Sequence, residues 1–109
     1  MPREFRQNLD DIIESISLIK DYTSGMSFED FSANRKTQDA VIRNLEIIGE
    51  AAKALPDDIK QKAHSTDWRK IIALRNILIH EYFGVNLKLI WDVIQNKLEE
   101  LQQDCRYLL

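Results

Sequence analysis

The sequence predicts an all-α protein, an antiparallel four-helix bundle with additional short helical segments. Three observations lead there. Only three glycines and two prolines occur in 109 residues, so little interrupts helical periodicity. Four long stretches carry apolar residues at helical spacing, each leaving one face to be buried. The turns between them are short, which favours antiparallel neighbours. A chain of this length builds one modest core, and residues 1–109 read as a single domain.

Phe5, Leu9, Ile12, Ile16 and Ile19 follow the i, i+4, i+7 rule and predict a first helix from about residue 3 to 22. Thr23-Ser24-Gly25-Met26 ends it, with Gly25 as the left-handed cap. Ser27 and Asp30 match a capping box that opens a short helical piece through Phe31. A long helix then runs from about Asn34 to Leu55, where Pro56 stops it. Its apolar line is Val41, Leu45, Ile48, Ala52 and Leu55, and Asp39, Arg43, Glu46, Glu50 and Lys53 form a charged line on another face. Gly49 in mid-helix costs ~1 kcal/mol relative to alanine. Close approach of another helix is the expected compensation.

Pro56-Asp57-Asp58 begins a weak helical turn through Ala63, with acidic side chains at the positive end of the dipole. His64-Ser65-Thr66 reads as a loop, and Ser65 or Thr66 is placed to cap the next helix. That helix, roughly Asp67 to Tyr82, is expected to bury Trp68, Ile71, Ile72, Leu74, Leu78 and part of Ile79. Gly84 terminates it. Asn86 caps a last helix whose face, Leu87, Ile90, Trp91, Ile94, Leu98 and Leu101, continues unbroken to about Arg106.

Composition narrows the function. With 44% hydrophobic and 30% charged residues the chain is globular rather than disordered. No apolar run approaches the ~20 residues of a membrane span. The first six residues carry no secretion signal, and the single Cys105 suits a reducing compartment. A cytoplasmic protein is expected. Its net charge of −3 argues against a protein that coats nucleic acid, since phosphate neutralisation supplies most of that affinity. Any RNA would be handled by a few local cations.

Chemistry concentrates in Arg75-Asn76-Ile77-Leu78-Ile79-His80-Glu81-Tyr82. Asn76 and His80, four apart, share a helix face. Arg75 and His80, five apart, differ by roughly 140° around the axis and ~7.5 Å along it. One straight helix does not aim both at the same phosphate. A two-fold copy brings a second Arg and a second His to the same cleft, so the spacing suggests a composite site in a homodimer. The residue types suit RNA cleavage by attack of the substrate's own 2′-hydroxyl. Histidine exchanges protons near neutral pH, and a planar arginine fork neutralises charge building on the phosphoryl oxygens. On this reading His80 is the acid/base, Arg75 the phosphate clamp and Asn76 the supporting residue. No HExxH or Cys/His ligand spacing exists, so neither a metal nor a cofactor is expected; His64 is assigned no catalytic role.

The arginine, four residues, a histidine, one residue and a tyrosine form the signature of the HEPN superfamily. The flanks, Trp68-Arg69-Lys70, Phe83-Gly84-Val85-Asn86 and the earlier phrase Arg43-Asn44-Leu45-Glu46-Ile47-Ile48-Gly49-Glu50-Ala51-Ala52, resemble its HepT branch. At position 77, where that branch often carries a polar or basic residue, this chain has Ile77. The resemblance implies a HEPN-like bundle and a metal-independent endoribonuclease toxin acting on RNA. It also implies a partner, a cognate nucleotidyltransferase antitoxin that attaches AMP to Tyr82. Two other readings stand beside it. One is a non-catalytic HEPN-like module that binds a nucleotidyltransferase. The other is a bundle whose Arg75, His80 and Tyr82 satisfy one another at a dimer interface. The charged face Asp39/Arg43/Glu46/Glu50 reads equally as a solvated stripe of i,i+4 ion pairs or as part of the family pattern.

Overall fold

The computed structural model describes residues 4–63, 65–80 and 86–109, and every regular element among them is a helix. Helix α1 spans Phe5–Thr23 and places Leu9, Ile12, Ile16 and Ile19 entirely out of solvent. It ends as expected at Gly25, whose φ of +76° only glycine adopts without strain. Helix α2, Phe28–Ser32, opens on the reciprocal cap. The Asp30 N–H donates to Ser27 Oγ and the Ser27 N–H to Asp30 Oδ2, each at 3.1 Å.

Helix α3, Arg35–Ala54, is capped by Asn34, whose Oδ1 accepts from the Thr37 N–H at 3.0 Å. Leu55 leaves the helix in an extended conformation, as the residue before Pro56 must. The short α4 covers Asp57–Gln61 and α5 covers Trp68–His80. Asn86 caps α6, Leu87–Asn96, accepting from the N–H groups of Lys88 and Leu89. The chain closes with α7, Leu98–Leu108.

Helix α3 is the central element. One side packs along α1 and the other receives α5, while α7 covers α1 from outside. Lys20 near the end of α1 meets Glu99, and the Ile13 carbonyl accepts from Gln102 at 3.0 Å, so α1 and α7 run antiparallel. Gln102 is buried with its amide fully used: it donates to Ile13 and Ser17 and accepts from Lys20 at 2.9 Å. A buried amide left unmet would cost about 1–3 kcal/mol, so this network pins one register of α7 on α1. Lys20 also holds the Glu99 carboxyl below the usual carboxylate range, by hydrogen bond and charge.

Three features depart from the expectation. The last helix is kinked at Lys97 instead of running straight, giving α6 and α7 different partners. Trp91 of α6 packs its ring 5.3 Å from Phe31 and 6.4 Å from Phe28, while Ile90 and Ile94 of α6 join Leu98, Leu101 and Cys105 of α7 in the core. The cap of α5 also differs. Asp67 fills that role, its Oδ1 accepting from the Lys70 N–H at 3.2 Å. The Ser65 and Thr66 hydroxyls donate instead to Asp104 Oδ2, tying the loop before α5 to α7.

Helix α5 is less buried than expected. Trp68 and Leu78 are core residues, Ile71, Ile72 and Leu74 are half-buried, and Ile79 is exposed. The assignments of His64 to a loop, Tyr82 to the helix end and Gly84 to its terminator fall outside the described residues. No described helix is long and apolar enough to cross a membrane.

Candidate functional site

The site begins with a missing side chain. A Cβ built at Gly49 would stand 2.1 Å from Cβ and 2.7 Å from Cγ of Arg75. Only glycine lets α5 lie this close to α3, and that closeness fixes where the Arg75 stem crosses. The expected use of Gly49 as a helix-contact position is therefore met within the chain. Ala51 and Ala52 beside it are buried, which removes this stretch as a contact surface for a second copy.

From that crossing the guanidinium spreads into a polar cluster. Arg75 Nη2 donates to Glu50 Oε1 at 3.2 Å, and Nη1 donates to Asn76 Oδ1 at 2.9 Å. Nε is buried with no partner among the described residues, a loss of about 1–3 kcal/mol if uncompensated. The side chain is 22% exposed and that of Glu50 53%. A guanidinium has five N–H donors. Two are engaged and one is buried, which leaves one N–H on each Nη without a partner among the described residues.

Asn76 and His80 lie on the solvent side of α5, on one exposed line with Arg69 and Ala73. The structure brings Arg75 and Asn76 together. No hydrogen bond joins either of them to His80 among the described residues, and the Asn76 carbonyl is turned to Arg75 rather than to the imidazole. Tyr82 lies outside the described residues. Glu50 is the member that sequence reasoning left without a role. It sat in a periodic charged line whose other acidic members do pair locally, Asp39 with Arg35 at 3.0 Å and Glu46 with Arg43 at 3.6 Å. Glu50 instead reaches across to α5.

Beside the polar line runs an apolar groove of about 490 Å³ between α5 and the α6–α7 arm, floored by Leu45 and Ile48 of α3. Ile77 and Leu89 on its walls are 43% and 45% exposed. Among the described residues no three His, Cys, Asp or Glu side chains gather as a metal site. Cys105 sits in the core, where burial pushes its thiol up to about 12.

The described residues form an all-helical bundle that carries an arginine, an amide and a histidine on one helix, and the class they define is that of small helical domains. The sequence places the chain within that class: it matches the family described as ribonuclease HepT-like over residues 12–108, and it belongs to that family, of the HEPN superfamily. A protein of Methanocaldococcus jannaschii, provisionally named an RNase, is 46% identical over 90% of this chain and 82% of its own length. A protein of Thermococcus cleftensis, provisionally named ribonuclease HepT, is 43% identical over 94% of this chain and 93% of its own. One from Caldanaerobacter subterraneus subsp. tengcongensis, provisionally named an RNase, is 38% identical over 95% and 93%. No solved structure matches the chain.

Proposed function

We propose that this chain is a metal-independent endoribonuclease toxin of the cytoplasm, neutralised by a cognate nucleotidyltransferase antitoxin. The observation that supports this most is that a member of the ribonuclease HepT-like family carries both Arg75 and His80, the first anchored at α3 and the second exposed. The provisional ribonuclease names of its relatives point the same way.

The chemistry follows from the groups. The RNA 2′-hydroxyl attacks the adjacent phosphorus while His80 acts as acid/base. The two Nη N–H groups of Arg75 that have no partner among the described residues meet the charge that develops on the phosphoryl oxygens. The 5′-oxygen leaves with a proton, giving a 2′,3′-cyclic phosphate and a 5′-hydroxyl. Arg75 and His80 of one chain stay roughly 140° apart on α5, so the working site combines the motif helices of two copies. The exposed Ile77 and Leu89 beside the groove supply apolar surface for that homodimer. A chain that scatters light as a monomer across the micromolar range would remove the composite site. Tyr82, two residues beyond His80, is the acceptor of AMP. The added phosphodiester puts a negative charge and a purine against Arg75 in competition with RNA.

The test is cleavage of RNA with EDTA present, comparing wild type with His80→Ala and Arg75→Ala. Loss of the acid/base group lowers cleavage roughly 10²–10⁴-fold. Both variants remain folded by circular dichroism. An uncut RNA with a well-folded wild-type dimer instead favours the non-catalytic binding module, a reading that the net charge of −3 supports.

A further inference from the structure

Glu50 stands on the charged face of α3, on a different helix from Arg75, Asn76 and His80, and its carboxylate is the one group from outside α5 that bonds the Arg75 fork among the described residues. The other two carboxylates of the charged line pair locally, Asp39 with Arg35 and Glu46 with Arg43. Glu50 is also the chain neighbour of Gly49, so the backbone that admits the Arg75 stem also presents the acceptor for its Nη2. The two contacts act on different parts of one side chain. Gly49 sets where the stem crosses. The fork would still rotate about its last torsions, and the buried Nε, unpartnered among the described residues, does not restrain it.

We infer that Glu50 is a positioning residue for Arg75, holding the guanidinium so that its remaining Nη N–H groups face an incoming phosphate. This rests on the reading of Arg75 as the phosphate clamp. A fork held from a second helix loses little freedom when the phosphate arrives, and preorganisation of this kind appears in the turnover step rather than in ground-state binding. Partial exposure of the carboxylate keeps the pair screened, so that Arg75 retains positive potential toward RNA.

The experiment is a double-mutant cycle on the full chain, with single-turnover RNA cleavage as the readout and thermal melting as the control. Glu50→Ala is expected to lower kcat about 10- to 100-fold, in line with the loss that a misplacement of ~1 Å brings, with KM changed less than threefold. Glu50→Gln keeps an acceptor oxygen and retains most of the rate. Combined with Arg75→Ala, Glu50→Ala adds nothing, because there is no fork left to position. A structural role would move the melting temperature and add to the Arg75→Ala loss. Additive losses, or a Glu50→Ala protein that cuts at the wild-type rate or faster, overturn the inference; the last outcome makes Glu50 a competitor of the phosphate. If Arg75→Ala itself leaves cleavage unchanged, the clamp reading fails first and is recognised separately.

Discussion

Gly49→Ala is the sharpest perturbation available, because one methyl group tests both the packing and the site. In an unconstrained helix the change stabilises by ~1 kcal/mol. Here the new Cβ would lie 2.1 Å from Arg75 Cβ and 2.7 Å from Cγ, atoms set by the α5 backbone rather than by a flexible side-chain tip. Restoring ordinary carbon contact requires α5 to back off α3 by roughly 1 Å or more. Overpacking of this kind costs about 1–3 kcal/mol, and subtracting the helix gain leaves a net loss of about 0–2 kcal/mol. For a domain of this size that is a fall in melting temperature of at most roughly 15 °C, and of nearly nothing at the lower bound. The larger effect falls on Arg75. A displacement of about 1 Å carries the fork away from Glu50 and lowers RNA cleavage up to about 100-fold in a protein that stays folded. Melting by circular dichroism and single-turnover cleavage measure the two effects. Gly25→Ala is the control, since nothing lies within 4 Å of that position and only its φ of +76° is at stake. It should cost ~1 kcal/mol and leave cleavage intact. A Gly49→Ala protein that melts higher than wild type and cleaves normally would refute the close approach on which the site description depends.

Incubation of the chain with a cognate nucleotidyltransferase, ATP and Mg²⁺ should place AMP on Tyr82, read by peptide mass spectrometry. Tyr82→Phe should escape both modification and silencing, and an adduct on Tyr22 or Tyr107 would contradict that assignment. The buried Cys105 should resist alkylation until the protein unfolds. Its thiol is raised from 9.0 to about 12, so between those values the unfolded chain has given up a proton that the native chain retains. Stability is then fully present below about pH 9 and falls as pH rises toward 12. Cys105→Ala should flatten that decline in denaturant titrations at increasing pH. An equally steep decline in the variant would assign it to other groups.

The parts of the fold written in local chemistry were readable in advance. The Ser27/Asp30 box, the turn at Gly25, the stop at Pro56 and the cap at Asn86 each involve residues within four of one another. What could not be read was decided by distant partners. Ile94, Leu98 and Leu101 keep helical spacing straight through Lys97, so the kink leaves no mark in the pattern. It reflects the separate demands of Phe28 and Phe31 on α6 and of α1 on α7. Ser65 and Thr66 read as the cap of α5, but Asp104, far along the chain, withdraws both hydroxyls and Asp67 takes the cap. Within the candidate site, residue type and spacing pointed to Arg75, Asn76 and His80, and the family resemblance added Tyr82. Glu50 was hidden because Glu46 and Lys53 offer the same spacing and local pairing was an equally good account. Gly49 gave the one usable hint, a mid-helix glycine that has to be explained by a neighbour.

The division of labour around α3 bears on how such a chain can diverge. Arg69, Lys70 and Ala73 are exposed on a helix whose broad packing, among the described residues, is to α3. Substitutions at surface positions of this kind usually shift stability by no more than about 0.5 kcal/mol. Descendants of one ancestor can therefore rewrite this face, changing what it recognises, while their cores remain interchangeable. Helix α3 has no such freedom. Wedged between α1 and α5, it transmits any change of volume to both neighbours, and Gly49 should be among the last positions to drift.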